Sequence, residues 1–143
     1  DDTPKFVFTH LHLPHYPYFF DRNGNEQPFE KLKEGNQVNK EMYVEYLQYG
    51  NKKYLALIDE IIKRSRRPAI IILMGDHGFR HFFKDPEPKY FYQNLVSLRL
   101  PDGNYSAFSD SLTNVNFFRV LLNTSYRQQL PLLQDTAIFI RER

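Results

Sequence analysis

The spacing of apolar positions along the chain predicts two helices. Between Lys40 and Arg66, apolar residues recur every three or four positions from Tyr43 onward, which is typical of an amphipathic helix with one apolar stripe. Asn39 is a suitable N-cap for this helix, and Pro68 prevents its continuation. A shorter helix is predicted over Asn114–Leu122, with Thr113 as its N-cap.

Four further segments have the composition of strands. Ala69–Met74 is apolar without alternation, as in a strand that is buried on both faces of a sheet. Lys5–Leu11 is rich in β-branched and aromatic residues, Tyr92–Leu100 is a strand candidate that ends at the turn Pro101–Asn104, and Ala137–Ile140 is a short last strand. Because a strand, a long helix and a buried strand follow one another, we expect Lys5–Leu11 and Ala69–Met74 to lie side by side and parallel. The predicted fold class is α/β, a mostly parallel sheet with helices packed on it.

Composition excludes several classes of protein. The 143 residues are 41% hydrophobic and 25% charged, as in an ordinary globular domain. The net charge of +2 gives no electrostatic reason to expect nucleic acid as a partner. There is no cysteine, so disulfides, cysteine zinc ligands and thiol nucleophiles are excluded. The longest apolar run is far too short to span a bilayer.

Two segments contain the residues best suited to chemistry. Asp76 and His77 directly follow the predicted buried strand, where ligands of open α/β sheets bind. An adjacent carboxylate and imidazole suit a divalent ion such as Zn or Mn, although Asp-His-Gly is also compatible with an ordinary turn. His10, His12 and His15 lie within six residues at the end of the first predicted strand. Imidazoles placed there could bind a metal, hold an anionic oxygen or protonate a leaving group.

These segments, in this order, resemble the carboxyl-terminal half of sulfatase-like hydrolases and transferases of the alkaline phosphatase superfamily. The resemblance is carried by His-x4-His-Tyr-Pro-Tyr in His10–Tyr18, the long helix, and the strand with Asp-His-Gly in Ile72–Gly78. Ser109–Val120 and Leu130–Asp135 are also similar to the end of such proteins, which include lipoteichoic acid synthases and phosphoethanolamine transferases. The resemblance implies that residues 1–143 form a single partial domain, the carboxyl-terminal portion of a three-layer α/β/α catalytic domain.

The same resemblance implies roles for individual residues. Asp76 and His77 match metal ligands of the family, for Zn, Mn, Mg or Ca, with Zn or Mn favoured. His15 matches a histidine that contacts the phosphate or sulfate group, and His10 matches a second histidine of the phosphoethanolamine transferases. The implied substrates are sulfate or phosphate esters, including lipid- or glycan-linked ones, and the implied reaction is hydrolysis or transfer through a covalent enzyme intermediate.

Parts of the family's machinery have no counterpart in the chain. The nucleophile of the family (threonine, serine or formylglycine) and its amino-side acidic metal ligand are not recognisable, and His12 and His81 have no match. We therefore expect the chain to work with the remainder of its own catalytic domain and to be inactive alone. The implied location is the periplasmic or extracellular face of the cell envelope, with a membrane anchor outside this chain.

Two alternatives remain open. His10, His12 and His15 have the histidine spacing of the metallo-β-lactamase motif, with Pro14 where that motif has a metal-binding aspartate. The chain could also be a non-catalytic binding or assembly module derived from a sulfatase-like domain. Stoichiometric metal that is lost when His77 is changed would favour the enzyme, and a protein without bound metal would favour the module.

Overall fold

A computed structural model describes residues 3–33, 35–79, 89–136 and 138. The elements are α1 (Lys40–Arg64), β1 (Ile71–Met74), α2 (Lys89–Tyr92), β2 (Val96–Arg99) and α3 (Asn114–Tyr126), with short 3-10 turns at Phe29–Leu32 and Asn36–Val38. The described chain contains both helices and strands, which agrees with the α/β prediction as far as the types of element are concerned. The chain divides into two compact units, within Asp1–Arg99 and Leu100–Arg143.

Helix α1 confirms the predicted long helix and ends two residues before the predicted end. The Asn39 side chain accepts a hydrogen bond from the Met42 N–H at 3.1 Å, which caps the first turn. At the other end the Ser65 hydroxyl donates to the Ile61 carbonyl at 2.6 Å, shortly before Pro68. Among the described residues, neither α1 nor any other helix combines the length and apolarity needed to cross a membrane.

The core of the first unit forms between α1 and the irregular segment before it. Helix residues at four-residue spacing are buried: Met42, Tyr46, Gly50 and Tyr54. Tyr18 packs against the first two of these and is 1% exposed. Its hydroxyl donates to the Gln37 carbonyl at 2.7 Å, and the Tyr54 hydroxyl donates to the Leu13 carbonyl. The Tyr18 ring and the Tyr54 hydroxyl therefore attach residues 13–38, a segment without long regular elements, to the helix, while the Tyr18–Gln37 bond lies within the segment.

The sheet differs from the predicted parallel arrangement. β1 pairs antiparallel with β2, with Ile71 opposite Arg99 and Met74 opposite Val96. This confirms the predicted strand at β1, which is half-buried and not buried on both faces as expected. It also confirms the carboxyl-terminal part of the strand predicted over Tyr92–Leu100, whereas Tyr92 itself ends α2. Lys5–Leu11, the predicted parallel neighbour of β1, forms no strand in the described structure, and Phe6 and Phe8 at its start are 89% and 79% exposed.

The reason lies in how strands form. β-branched and aromatic composition gives only a preference, and a strand is stable where a neighbouring backbone takes its hydrogen bonds. β2 provides that neighbour for β1, whereas no described strand pairs with Lys5–Leu11. Within the described ranges the sheet therefore has two antiparallel strands and no parallel pair. The predicted last strand, Ala137–Ile140, lies outside the described residues except for Ile138.

In the second unit, two asparagine side chains hold an extended segment against α3. The helix begins after Thr113, whose hydroxyl accepts the Val115 N–H at 3.3 Å, and confirms the predicted helix while extending it to Tyr126. The buried Asn116 side chain exchanges two hydrogen bonds of 2.9 Å with the Leu133 backbone. Asn123, two turns later, bonds to the Leu130 backbone in the same way, at 2.8 and 2.9 Å. The extended segment thus forms its hydrogen bonds with asparagine side chains of α3, where a strand would form them with a neighbouring backbone.

Candidate functional site

The Asp-His-Gly turn leaves the sheet directly after β1. The Gly75 N–H donates to the Leu95 carbonyl at 2.8 Å, and the Asn94 side chain donates to the Gly75 carbonyl at 2.6 Å. These bonds continue the β1–β2 pairing by one residue and fix the start of the turn. The Asp76 side chain beyond it is 89% exposed, while the His77 side chain is 35% exposed. The Asp76 carboxylate is thus exposed to solvent, whereas the His77 imidazole is partly buried.

Gly78 is a glycine because the α2 segment approaches its backbone. The Gly78 N–H donates to the Phe91 carbonyl at 2.8 Å. A Cβ on Gly78 would lie 1.9 Å from the Tyr90 carbonyl oxygen and 2.8 Å from the Gln93 carbonyl oxygen, which no real side chain tolerates. Glycine is therefore required at the third position of Asp-His-Gly, because any side chain there would collide with the α2 segment.

The His77 imidazole is oriented as in a metal-binding histidine. Its Nδ1 lies 2.7 Å from the Gly78 carbonyl oxygen, which can only accept, so we assign the proton to Nδ1. Metal-binding histidines commonly donate their second ring N–H to a carbonyl in this way. The other nitrogen, Nε2, lies 3.6 Å from Asp76 Oδ2. When the ring is neutral with its proton on Nδ1, the lone pair of Nε2 therefore lies beside the carboxylate oxygen of Asp76.

This spacing fits two positions of a metal site. Two ligand atoms bound to a tetrahedral Zn at 2.0–2.2 Å lie about 3.4 Å apart, close to the 3.6 Å between His77 Nε2 and Asp76 Oδ2. In the described part of the chain, however, no group of three or more His, Cys, Asp or Glu side chains could hold a metal ion. Asp76 and His77 therefore fit two ligand positions of one metal ion, and His10, His12 and His15 do not supply further ligands to it. His81 lies outside the described residues.

The three amino-terminal histidines form one exposed cluster. The rings of His10 and His12 stack with centroids 4.9 Å apart, and the rings of His12 and His15 meet edge to face at 6.1 Å. The His15 N–H donates to the His12 carbonyl at 2.8 Å, which closes a turn and returns His15 toward the other two rings. The His15 Nδ1 contacts the Tyr16 carbonyl. The short sequence spacing thus produces a shared imidazole surface, although no strand supports it.

Both site segments pack on the first turns of α1 through aromatic rings. Phe79, directly after the Asp-His-Gly turn, lies with its ring 4.1 Å from the Tyr43 ring. Tyr43 in turn lies 5.9 Å from Tyr18, and Tyr18 meets Tyr16 edge to face at 5.4 Å. Sequence reasoning missed this role of Tyr43, whose only signal was its place on the helix stripe. The rings bring the two segments onto the same part of one helix.

Compared with protein-family models, curated proteins and solved structures, the chain shows no significant match to any of them. Function is therefore inferred from the residues of the site and from their geometry.

Proposed function

We propose that this chain contributes half of the active site of a metal-dependent enzyme that hydrolyses or transfers a sulfate or phosphate ester. The observation that supports this most directly is the Asp76–His77 pair. Its carboxylate oxygen and Nε2 are spaced as two ligands of one ion, and Nδ1 is held by a carbonyl. This arrangement agrees with the role that the sulfatase-like resemblance implies for both residues.

The proposed roles divide between the two segments. Asp76 and His77 hold a divalent ion, Zn or Mn before Mg or Ca. When bound, such an ion neutralises charge on the transferred group and lowers the pKa of an attacking hydroxyl. His15 and His10 hold the anionic oxygens of the ester or protonate the leaving oxygen. Their rings are exposed and adjacent to His12, so an anion can approach them from solvent.

The proposal includes a larger domain around this chain. In it, a mostly parallel sheet between helix layers continues beyond the described two-stranded sheet, and the remaining part supplies the nucleophile and further metal ligands. Exposed apolar residues support this: Phe6, Val7 and Phe8 are 77–89% exposed, and Leu55 on α1 is 63% exposed. Large apolar side chains exposed to this degree support an interaction with the remaining part of the domain. The cell-envelope location and the external anchor belong to the same proposal.

The test is a panel of chromogenic sulfate and phosphate esters, with metal content measured in parallel, on the full-length protein and on this chain. We expect metal-dependent turnover by the full-length protein and none by the chain alone. His77→Ala should remove the metal and most of the activity. His15→Ala should lower turnover and retain the metal, because we assign His15 to substrate oxygens. Asp76→Asn should likewise lower the metal content and the activity, and Asp59→Asn, which changes an exposed carboxylate on α1, is its matched control.

Three outcomes would contradict the proposal. A full-length protein without stoichiometric metal would favour the non-catalytic module. Loss of metal in His15→Ala would place that residue among the ligands and favour the metallo-β-lactamase-like alternative. Robust turnover by the isolated chain would mean that it contains its own nucleophile.

A further inference from the structure

We infer that Tyr43 is a positioning residue that sets the distance between the Asp76–His77 pair and the cluster of His10, His12 and His15. This inference rests on the proposed function, because it assigns Tyr43 a part in building that site. Tyr43 makes ring contacts with Phe79 and Tyr18, neither of which is an assigned metal ligand or substrate residue.

The geometry places Tyr43 between the two segments. On one side its ring lies 4.1 Å from the ring of Phe79, with 30° between the ring planes. On the other side it lies 5.9 Å from the ring of Tyr18, at 63°. Phe79 is two residues after His77, and Tyr18 is three residues after His15. One helix side chain thus contacts a residue that lies two positions after one half of the site and a residue that lies three positions after the other.

The helix makes Tyr43 a fixed support. Tyr43 lies in the first turns of α1, where the Asn39 cap and the Tyr43 N–H bond to the Asn39 carbonyl at 3.0 Å order the backbone. Its ring is half-buried, and burial raises the pKa of its hydroxyl above an ordinary value that already keeps tyrosine neutral at physiological pH. A tyrosine has few rotatable bonds, and a packed ring adopts one orientation at low entropic cost.

Each segment also has an anchor of its own: the Tyr54 hydroxyl donates to the Leu13 carbonyl, and the Gly75 and Gly78 N–H groups donate to the Leu95 and Phe91 carbonyls. Residues 9–18 form neither helix nor strand, and residues 75–79 form a turn. These anchors hold each segment separately, whereas the Tyr43 ring contacts a residue of both, so their separation depends also on the rings packed against α1. Without the Tyr43 ring, a gap remains that each segment can enter, since core gaps are partly filled by relaxation of their surroundings. We expect such relaxation to change the spacing of the two halves while α1 stays folded.

The absence of cysteine allows a test that does not depend on metal or activity. Asp76→Cys gives one attachment point for a nitroxide, and the 89% exposure of this side chain leaves room for the label. Paramagnetic broadening of the imidazole protons then reports how close His10, His12 and His15 lie to the label. His77, adjacent to the label, must broaden in every variant and so confirms labelling.

We expect the broadening of the histidine cluster to change strongly in Tyr43→Leu and to be retained in Tyr43→Phe, which keeps the ring. Tyr49→Leu is the matched control, since Tyr49 is on the same helix and contacts Phe20 at 4.9 Å. Phe79→Leu removes the contact from the other side and should reproduce the effect of Tyr43→Leu. It also decides the question if Tyr43→Leu does not fold.

In the full-length protein, Tyr43→Leu should retain metal and lose activity. A misplacement of about 1 Å can cost about 100-fold in rate, so we expect a fall in kcat/KM approaching that size, with recovery in Tyr43→Phe. If the imidazole protons of the histidine cluster broaden in Tyr43→Leu and Phe79→Leu to the same extent as in the control Tyr49→Leu, the inference is overturned. Absence of metal or activity in the unchanged protein would overturn the proposed function instead, and the broadening data would still decide the role of Tyr43.

Discussion

Replacing Gly78 with alanine tests the steric origin of the Asp-His-Gly turn. A Cβ there would lie 1.9 Å from the Tyr90 carbonyl oxygen, whereas ordinary contacts begin at 3.4 Å. The α2 backbone would therefore have to move by about 1.5 Å away from the turn. A carbonyl in the chain cannot rotate aside as the end of a flexible side chain can, so the movement must involve several residues.

The expected cost follows from two contributions. Forcing extra volume into a packed site costs about 1–3 kcal/mol. Separation of the turn from α2 also removes the hydrogen bond from the Gly78 N–H to the Phe91 carbonyl, which contributes about 1 kcal/mol. We therefore expect Gly78→Ala to lower the free energy of unfolding by about 2–4 kcal/mol. Such a loss is a large fraction of the stability of a typical domain.

The measurement is urea denaturation followed by far-UV circular dichroism, with slopes compared between variants. Gly75→Ala is the matched control, because its Cβ would meet its nearest neighbour, the Leu95 nitrogen, at an ordinary 3.6 Å. We expect this control to change stability by less than about 1 kcal/mol. If Gly78→Ala and Gly75→Ala unfold at the same urea concentration, the steric explanation of Gly78 is wrong.

Three further predictions concern α1 and the segment before it. Gly50→Ala should raise the free energy of unfolding in urea by up to about 1 kcal/mol through helix propensity, because its Cβ would meet Leu13 no closer than 3.5 Å; lower stability would contradict this. Burial raises the pKa of Tyr18 from 10.0 to about 12. Its stabilising contribution is thus complete below pH 10.0 and lost as the pH rises toward 12, because the unfolded chain ionises first. Tyr18→Phe should therefore remove the group that titrates last by tyrosinate absorbance, and uniform titration of all tyrosines would refute it. The Asn25 side chain donates to the Asp21 carboxylate and lowers its pKa, so Asn25→Ala should raise that pKa in a carbon-13 NMR titration. Because the pKa of Asp21 is lower in the folded chain, its carboxylate contributes stability above the unfolded pKa, and this stability is lost on acidification. The Asn25→Ala variant should therefore lose less stability than the unchanged protein as the pH falls. An unchanged Asp21 titration in this variant would contradict the hydrogen-bond explanation.

The elements that could be predicted are those that the local sequence determines. α1 and α3 follow from the period of their apolar residues, and Asn39 and Thr113 cap them as expected. The apolar run of β1 is a strand, but its partner could not be predicted. Pairing joins residues distant in sequence, and a preference for extended backbone at Lys5–Leu11 does not say which edge is available.

The candidate site shows the same division. The adjacency of Asp76 and His77 and the grouping of the three histidines follow from sequence spacing. The carbonyl that holds His77 Nδ1 and the carbonyls that require Gly78 could not be predicted, because they depend on how the turn folds and on where α2 lies. Periodicity places Tyr43 on the helix stripe but does not identify Phe79 as its neighbour.

The phenol hydroxyls around α1 have a consequence for which substitutions the chain can tolerate. Residues 13–38 include Pro14, Pro17 and Pro28, each of which removes a backbone donor, so carbonyls outnumber N–H groups in this segment. The hydroxyls of Tyr18 and Tyr54 supply two of the missing donors. A change of either tyrosine to phenylalanine, which keeps the ring, therefore leaves a carbonyl without this donor. Tyrosine and phenylalanine are interchangeable in this protein only where the ring makes the contact.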